Sequence, residues 1–339
     1  MAPCHDSRCT AARLPDPRGE LSAAVVSALR SGGPHRLPDP ATAPEDPFGD
    51  DLQLALYVLY ELHYQGFEGV DGECEWDPGL LGLRGVLEER FLSALRTGVP
   101  GAPTVDEAMS GLLVEPAGDD GTSVSHYLAS EGTLRQLREY AALRSLYHLK
   151  EADPHAWVIP RLHGRAKAAM VAVEFDEFGA GRAESVHARL FGELMDDLEL
   201  DTSYGHYLDA SPAELLATVN LMSLFGLHRA LRGALVGHFA AVEVTSSPGS
   251  RRLASALRRT GAGPAAARFY DEHVEADAVH EQVVRRDVIG GLLSCEPHLE
   301  PDVAFGVEAT GLLEDRLAGK LLPAWRTNGS ALRGPPATG

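Results

Sequence analysis

Residues 269–283 read FYDEHVEADAVHEQV. His273, Asp277 and His280 are spaced four and then three, so on a helix turning about 100° per residue they fall within a stripe roughly 60° wide. All three side chains can then address one point. Two imidazoles and a carboxylate so arranged form a metal-binding pattern, and they require the segment to be helical. The competing reading is a solvated charged helix face, since Glu272, Glu275 and Glu281 lie nearby.

Outward from this segment the chain keeps helical periodicity. DLQLALYVLYELHYQG begins at Asp51, PGLLGLRGVLEERFLSALR follows a loop, and Thr104 with Glu107 marks a capping box. A helix is expected from about Ser123 to Glu151 and another from about Arg165. Ser211-Pro212-Ala213-Glu214 opens a long apolar helix expected to stop near TSSPGS at 245–250. Further helices fit Arg251–Arg259, Ala265–Leu293 and Val303–Leu322. Alternating β-branched runs are almost absent, so the fold class is all-α, a helical bundle.

Residues 1–48 hold eight prolines and one short helical candidate, Glu20–Arg30, and read as a partly ordered arm. Residues 49–120 form an N-terminal helical region, long enough to be a subdomain or a dimerisation element. PAGDDGTS at 116–123 separates it from a bundle over residues 121–325, and 326–339 read as a flexible tail.

Composition narrows the partners. Asp+Glu 49 against Lys+Arg 30 gives a formal net charge of -19, without the basic face that nucleic acid or an anionic membrane surface requires. The uncharged stretch Leu215–Leu227 ends at His228 and Arg229, short of the roughly 20 residues that span a bilayer. Pro3 and Asp6 interrupt the segment a signal peptide would need, and four scattered cysteines suit a reducing cytoplasm. Cys4, His5 and Cys9 are an incidental group in the arm.

Partners for the His273 stripe should be acidic or imidazole groups that otherwise look buried. In RAKAAMVAVEFDEF, Glu177 shares a stripe with Ala166, Met170 and Val173. Glu243 follows Val236, Phe239 and Ala240 in the same way. An unpaired ionised Glu at such a site costs several kcal/mol, so its pKa rises or a cation sits beside it. For Glu243 the competing reading is a residue escaping to solvent at a helix end. His187 lies about 80° off the Glu177 stripe, and 3₁₀ winding at Phe178-Gly179-Ala180-Gly181 would recover that angle. Glu151 lies on the side of Leu143 and Tyr147, where a surface position is the commoner fate. His148 and His155 lie beside Glu151, placed to orient it, but solvent-facing positions are the expectation, and Glu61 and His63 point too far apart to share an ion. Tyr147 and Trp157 read as core or cavity aromatics. No Gly-rich phosphate loop follows a strand, so NAD, flavin and ATP are not implied.

The order Glu151, Glu177, His187, Glu243, His273, Asp277, His280 resembles the heme-oxygenase-like diiron oxidases and oxygenases. Within them it is most similar to the diiron domain of the N-nitrosourea-forming synthases, over roughly residues 125–325. HLKEADPHAWVIPRL and HFAAVEVTSS carry the likeness too. The resemblance implies that Glu177, His187, Glu243, His273, Asp277 and His280 hold two iron ions, with no heme. Glu151 would match an additional carboxylate of N-oxygenating members. It further implies O2 as cosubstrate, a peroxo-diiron(III) species, a small amine or amino-acid-derived substrate in a biosynthetic pathway, an unidentified electron donor and a homodimer. The cupin domain of the synthases has no counterpart in the 14 residues after Trp325. Oxidative C–C cleavage or decarboxylation of an amino or fatty acid is the alternative within the fold, and a non-catalytic helical binding protein the alternative outside it. Imidazole and carboxylate donors without thiolate suit iron or manganese, and four carboxylates offset two divalent ions.

Overall fold

A computed structural model describes residues 11–31, 37, 46–112 and 121–334, apart from the side chains of 275 and 277–279. Among the described residues the structure is helical, and the one extended pairing is an isolated bridge between Ala12 and Phe67. The fold class is all-α, as the periodicity requires. Among the described residues no helix is long and apolar enough to cross a membrane.

Helices start where local chemistry satisfies their free N–H groups. α1 (Glu20–Arg30) receives its cap from afar: Asp51, in the first turn of α2 (Asp50–Glu61), accepts from the Leu21 and Ser22 backbone at 3.0 and 2.7 Å. α3 (Pro78–Gly98) is capped by Asp77 and carries Pro78 at its first position, and α4 (Val105–Ser110) is capped by Thr104. The single helix expected over 123–151 is instead two, α5 (Val124–Ser130) and α6 (Leu134–His148). The break falls at Thr133, which forms a reciprocal capping box with Gln136. A short α7 (Asp153–Ala156), then α8 (Gly164–Glu177) and α9 (His187–Asp197), follow.

The second half departs from expectation at both ends of the long apolar segment. α10 (Ala213–Leu227) stops early, where the Arg161 guanidinium takes the carbonyls of Gly226 and Leu227. α11 (Arg232–Thr260) then runs straight through Pro248 instead of ending at TSSPGS. Proline removes one hydrogen bond, but tertiary packing of a long helix outweighs that local loss. At Gly237 a Cβ would lie 1.9 Å from the Val303 carbonyl oxygen, so α11 meets α14 (Glu300–Arg326) backbone to backbone. Glu243 is therefore in mid-helix, not at a helix end. Between these two, α12 (Pro264–Val283) passes through a π-helical turn, Val284–Ile289, into α13 (Gly290–Cys295). One continuous hydrophobic cluster reaches from Ala12 to Ala331, with α10 buried nearly all round.

Candidate metal centre

Glu177 is the last residue of α8 and is buried, on the stripe formed by Ala166, Met170 and Val173. The chain then turns through Gly179, Ala180 and Gly181, at φ 74°, 52° and 79°. A Cβ on Gly179 would approach the Val186 nitrogen to 2.6 Å, so glycine is required there for space as well as conformation. This 3₁₀ segment is where the glycines suggested it, yet it does not prolong α8. It reverses the chain, and His187 opens a new helix with its Nδ1 2.7 Å from Glu177 Oε2.

Glu151 sits beyond the end of α6, in a turn whose next residue, Ala152, has φ 74°. His148 Nδ1 lies 2.8 Å from Glu151 Oε1 and orients it. His273, on α12, donates Nδ1–H to the Phe269 carbonyl at 2.8 Å, which leaves the Nε2 lone pair facing Glu151 Oε1 at 3.6 Å. About two turns further on, His280 Nε2 stands 3.3 Å from Asp176, while its Nδ1 faces Glu243 Oε2 at 3.3 Å and Glu177 Oε1 at 3.7 Å. In both histidines a neighbour occupies the outer nitrogen and the inner one addresses the cluster.

Two groups of donor atoms result, each with all members within 4.8 Å of one another. Glu151, Glu177, His187 and His273 form one; Glu177, Glu243 and His280 form the other. All are buried, and Glu177 belongs to both. Six of the seven residues singled out in the sequence are thus brought together. Asp277 is on α12 between the two histidines, but its side chain lies outside the described residues, as do Cys4, His5 and Cys9.

The electrostatics favour cations at this place. Burial drives the Glu151 carboxyl up, yet His148 and His273 outweigh it and hold it well below the ordinary value. Burial disfavours the His187 imidazolium, but Glu177 overcomes that and raises its pKa. The Glu151 Oε2 atom is buried without a hydrogen-bond partner, and His187 Nδ1 approaches Glu177 without hydrogen-bond alignment. Donor atoms gathered this closely in a buried space suit a metal ion. Carboxylate oxygens and imidazole nitrogens without thiolate match iron or manganese better than structural zinc. The residues present therefore fit iron.

Several neighbours escaped the sequence reading. Glu174, one turn before Glu177, is 2% exposed with neither oxygen paired, and burial followed by Glu177 and Glu243 pushes its carboxyl up to about 9. Its spacing from Met170 was a usable signal. Asp176 gave none. His148 and His155 are not solvent-facing: the first holds Glu151, and the second is 1% exposed beside His238. Glu61 does not share an ion with His63, but takes Lys150 Nζ at 2.7 Å and the Tyr204 hydroxyl at 2.7 Å in full burial. Lys150 and Glu151, adjacent in one turn, thus meet different partners. A cavity of about 810 Å³ opens beside the cluster, lined among others by Tyr140, Arg144, Tyr147, Met222, His238 and Glu314.

The sequence model of a family described as iron-containing redox enzymes matches residues 138–315, just over half of the 339-residue chain. All seven singled-out residues fall inside that span. A nitrosourea synthase of Streptomyces achromogenes subsp. streptozoticus is 23% identical over 161 residues, 47% of this chain and 34% of that protein. The chain thus matches about a third of that relative's length.

Proposed function

The chain belongs to the iron-containing redox enzyme family, and from that premise we propose that it is a diiron, O2-activating oxygenase acting on a substrate nitrogen. The observation that carries this reading is the pair of donor groups sharing Glu177. Glu151, His187 and His273 would hold one iron, and Glu243 and His280, with Asp277 from the same helix stripe, the other. Iron bound there supplies electrons to O2 and a place for it to bind. The rest of the chemistry belongs to the protein. Phe269 and Asp176 fix the two histidines of α12, and His148 keeps Glu151 aimed inward. Burial, then Glu151 and Glu177, raise the Tyr147 pKa well above its ordinary value, so its hydroxyl keeps its proton beside the cluster. The cavity orients the substrate and excludes bulk water from the reacting atoms.

Glu151 favours nitrogen as the acceptor, because the N-oxygenating members it resembles carry a carboxylate there. The nitrosourea synthase likeness supports the same reaction class. A second reading, oxidative C–C cleavage, draws on Leu221 and Met222, which α10 presents to the cavity as a surface for an alkyl chain. The test is single-turnover O2 consumption by protein loaded anaerobically with Fe(II), comparing wild type with Glu151→Ala. Loss or redirection of the oxygenated product supports the proposal. Unchanged O2 uptake with unchanged product contradicts it. As a homodimer built on residues 49–120, the protein would elute at twice its chain mass.

A further inference from the structure

We propose that Glu314 anchors a cationic head of the substrate, an ammonium, amidinium or guanidinium group, in the cavity beside the donor cluster. This rests on the cavity being the substrate site, as in the function proposed above. Glu314 on α14 and Arg144 on α6 form a two-pronged pair, Nη1 to Oε1 at 2.9 Å and Nη2 to Oε2 at 2.6 Å. Arg144 Nε is occupied by the Tyr140 hydroxyl at 3.2 Å. The arginine side chain is 15% exposed and the glutamate 42%, and both line the cavity. The accessible end of the pair is therefore the anion. A carboxylate offers about four lone-pair sites, and Arg144 uses two. Burial works against the Glu314 charge, but Arg144 outweighs it and keeps the group ionised.

The nearby wall residues His155, His238 and Thr310 carry no charge. His238 donates Nδ1–H to Thr310 Oγ1 at 2.8 Å, because the Thr310 proton already goes to the Gly306 carbonyl. His155 and His238 both have lowered pKa values, chiefly through burial, and stay neutral. A cation with N–H donors finds a partner here, whereas a free carboxylate would meet Glu314. Arg144 and His148 are one turn apart on α6, roughly 6 Å along the axis, and His148 touches Glu151. Glu314 is not one of the converging donors, so the group it holds is separate from the one presented to the metals. The substrate is bifunctional, with a cationic head and a separate reacting group.

Calorimetric titration with n-hexylammonium, hexanoate and hexanol tests this on the full chain. The ammonium should bind at least about tenfold tighter than either control, and Glu314→Gln should abolish that preference. Should Glu314→Gln misfold by leaving Arg144 unpaired, the double variant Arg144→Met/Glu314→Leu removes both charges and should show the same loss. Iron loading of these variants should match wild type. Equal binding of hexanoate or hexanol, ammonium binding unaffected by Glu314→Gln, or no ammonium binding overturns the anchor. Ammonium preference in protein that takes up no iron would leave the anchor standing and sink the diiron reading instead.

Discussion

Glu177 Oε2 and His187 Nδ1 lie 2.7 Å apart across three consecutive left-handed residues. The turn at Gly179, Ala180 and Gly181 brings into contact two residues that a continuous helix would have held apart. Replacing Gly179 by alanine forces a Cβ against the backbone of Ser185 and Val186. Gly179→Ala should destabilise the fold by at least about 1–2 kcal/mol and weaken iron binding, both measurable by denaturant unfolding with and without Fe(II).

Because Glu177 belongs to both donor groups and Glu243 to one, their alanine variants should differ in iron count. Glu177→Ala is expected to bind little iron at either position. Glu243→Ala should retain the ion held by Glu151, His187 and His273. Iron quantified after gel filtration distinguishes these outcomes, and equal losses would count against a shared Glu177.

The Lys150–Glu61 pair is fully buried. Lys150→Met would leave a buried carboxylate with only the Tyr204 hydroxyl and the Gln65 backbone, costing about 3–5 kcal/mol. The double variant Glu61→Leu/Lys150→Met should regain most of that loss. Chemical denaturation of the three proteins gives the answer.

Burial lowers the His238 pKa from 6.5 to about 4. Between those values the unfolded chain binds a proton that the folded chain refuses, so stability is retained above pH 6.5 and falls as pH drops toward 4. The 2.5-unit difference corresponds to about 3 kcal/mol. His238→Gln should flatten this acid slope by that order, and an unchanged slope in urea titrations from pH 7 to pH 4 would refute it.

How far the sequence revealed all this depends on the range of the forces involved. Helix starts at Asp77 and Thr104 are written within four residues, and the stripe positions of Glu177 and His273 within two turns, whereas the equally local Thr133–Gln136 box was passed over by the single helix expected there. The α11 segment was misread because Pro248 and its small polar neighbours look like a stop locally, whereas α12 and α14 hold the helix together from outside. Glu151 was legible only through the resemblance, since its turn depends on Ala152 and on His148 reaching back. The Glu61–Lys150 contact joins residues 89 apart. No periodicity encodes such a pair.

On the proposed reading these carboxylates and imidazoles hold two iron ions. Anaerobic Fe(II) titration of the metal-free protein, followed by iron and protein quantification, tests it most directly. Saturation is expected at two irons per chain, falling in Glu177→Ala. Saturation at one iron or none, with the fold intact, would contradict it.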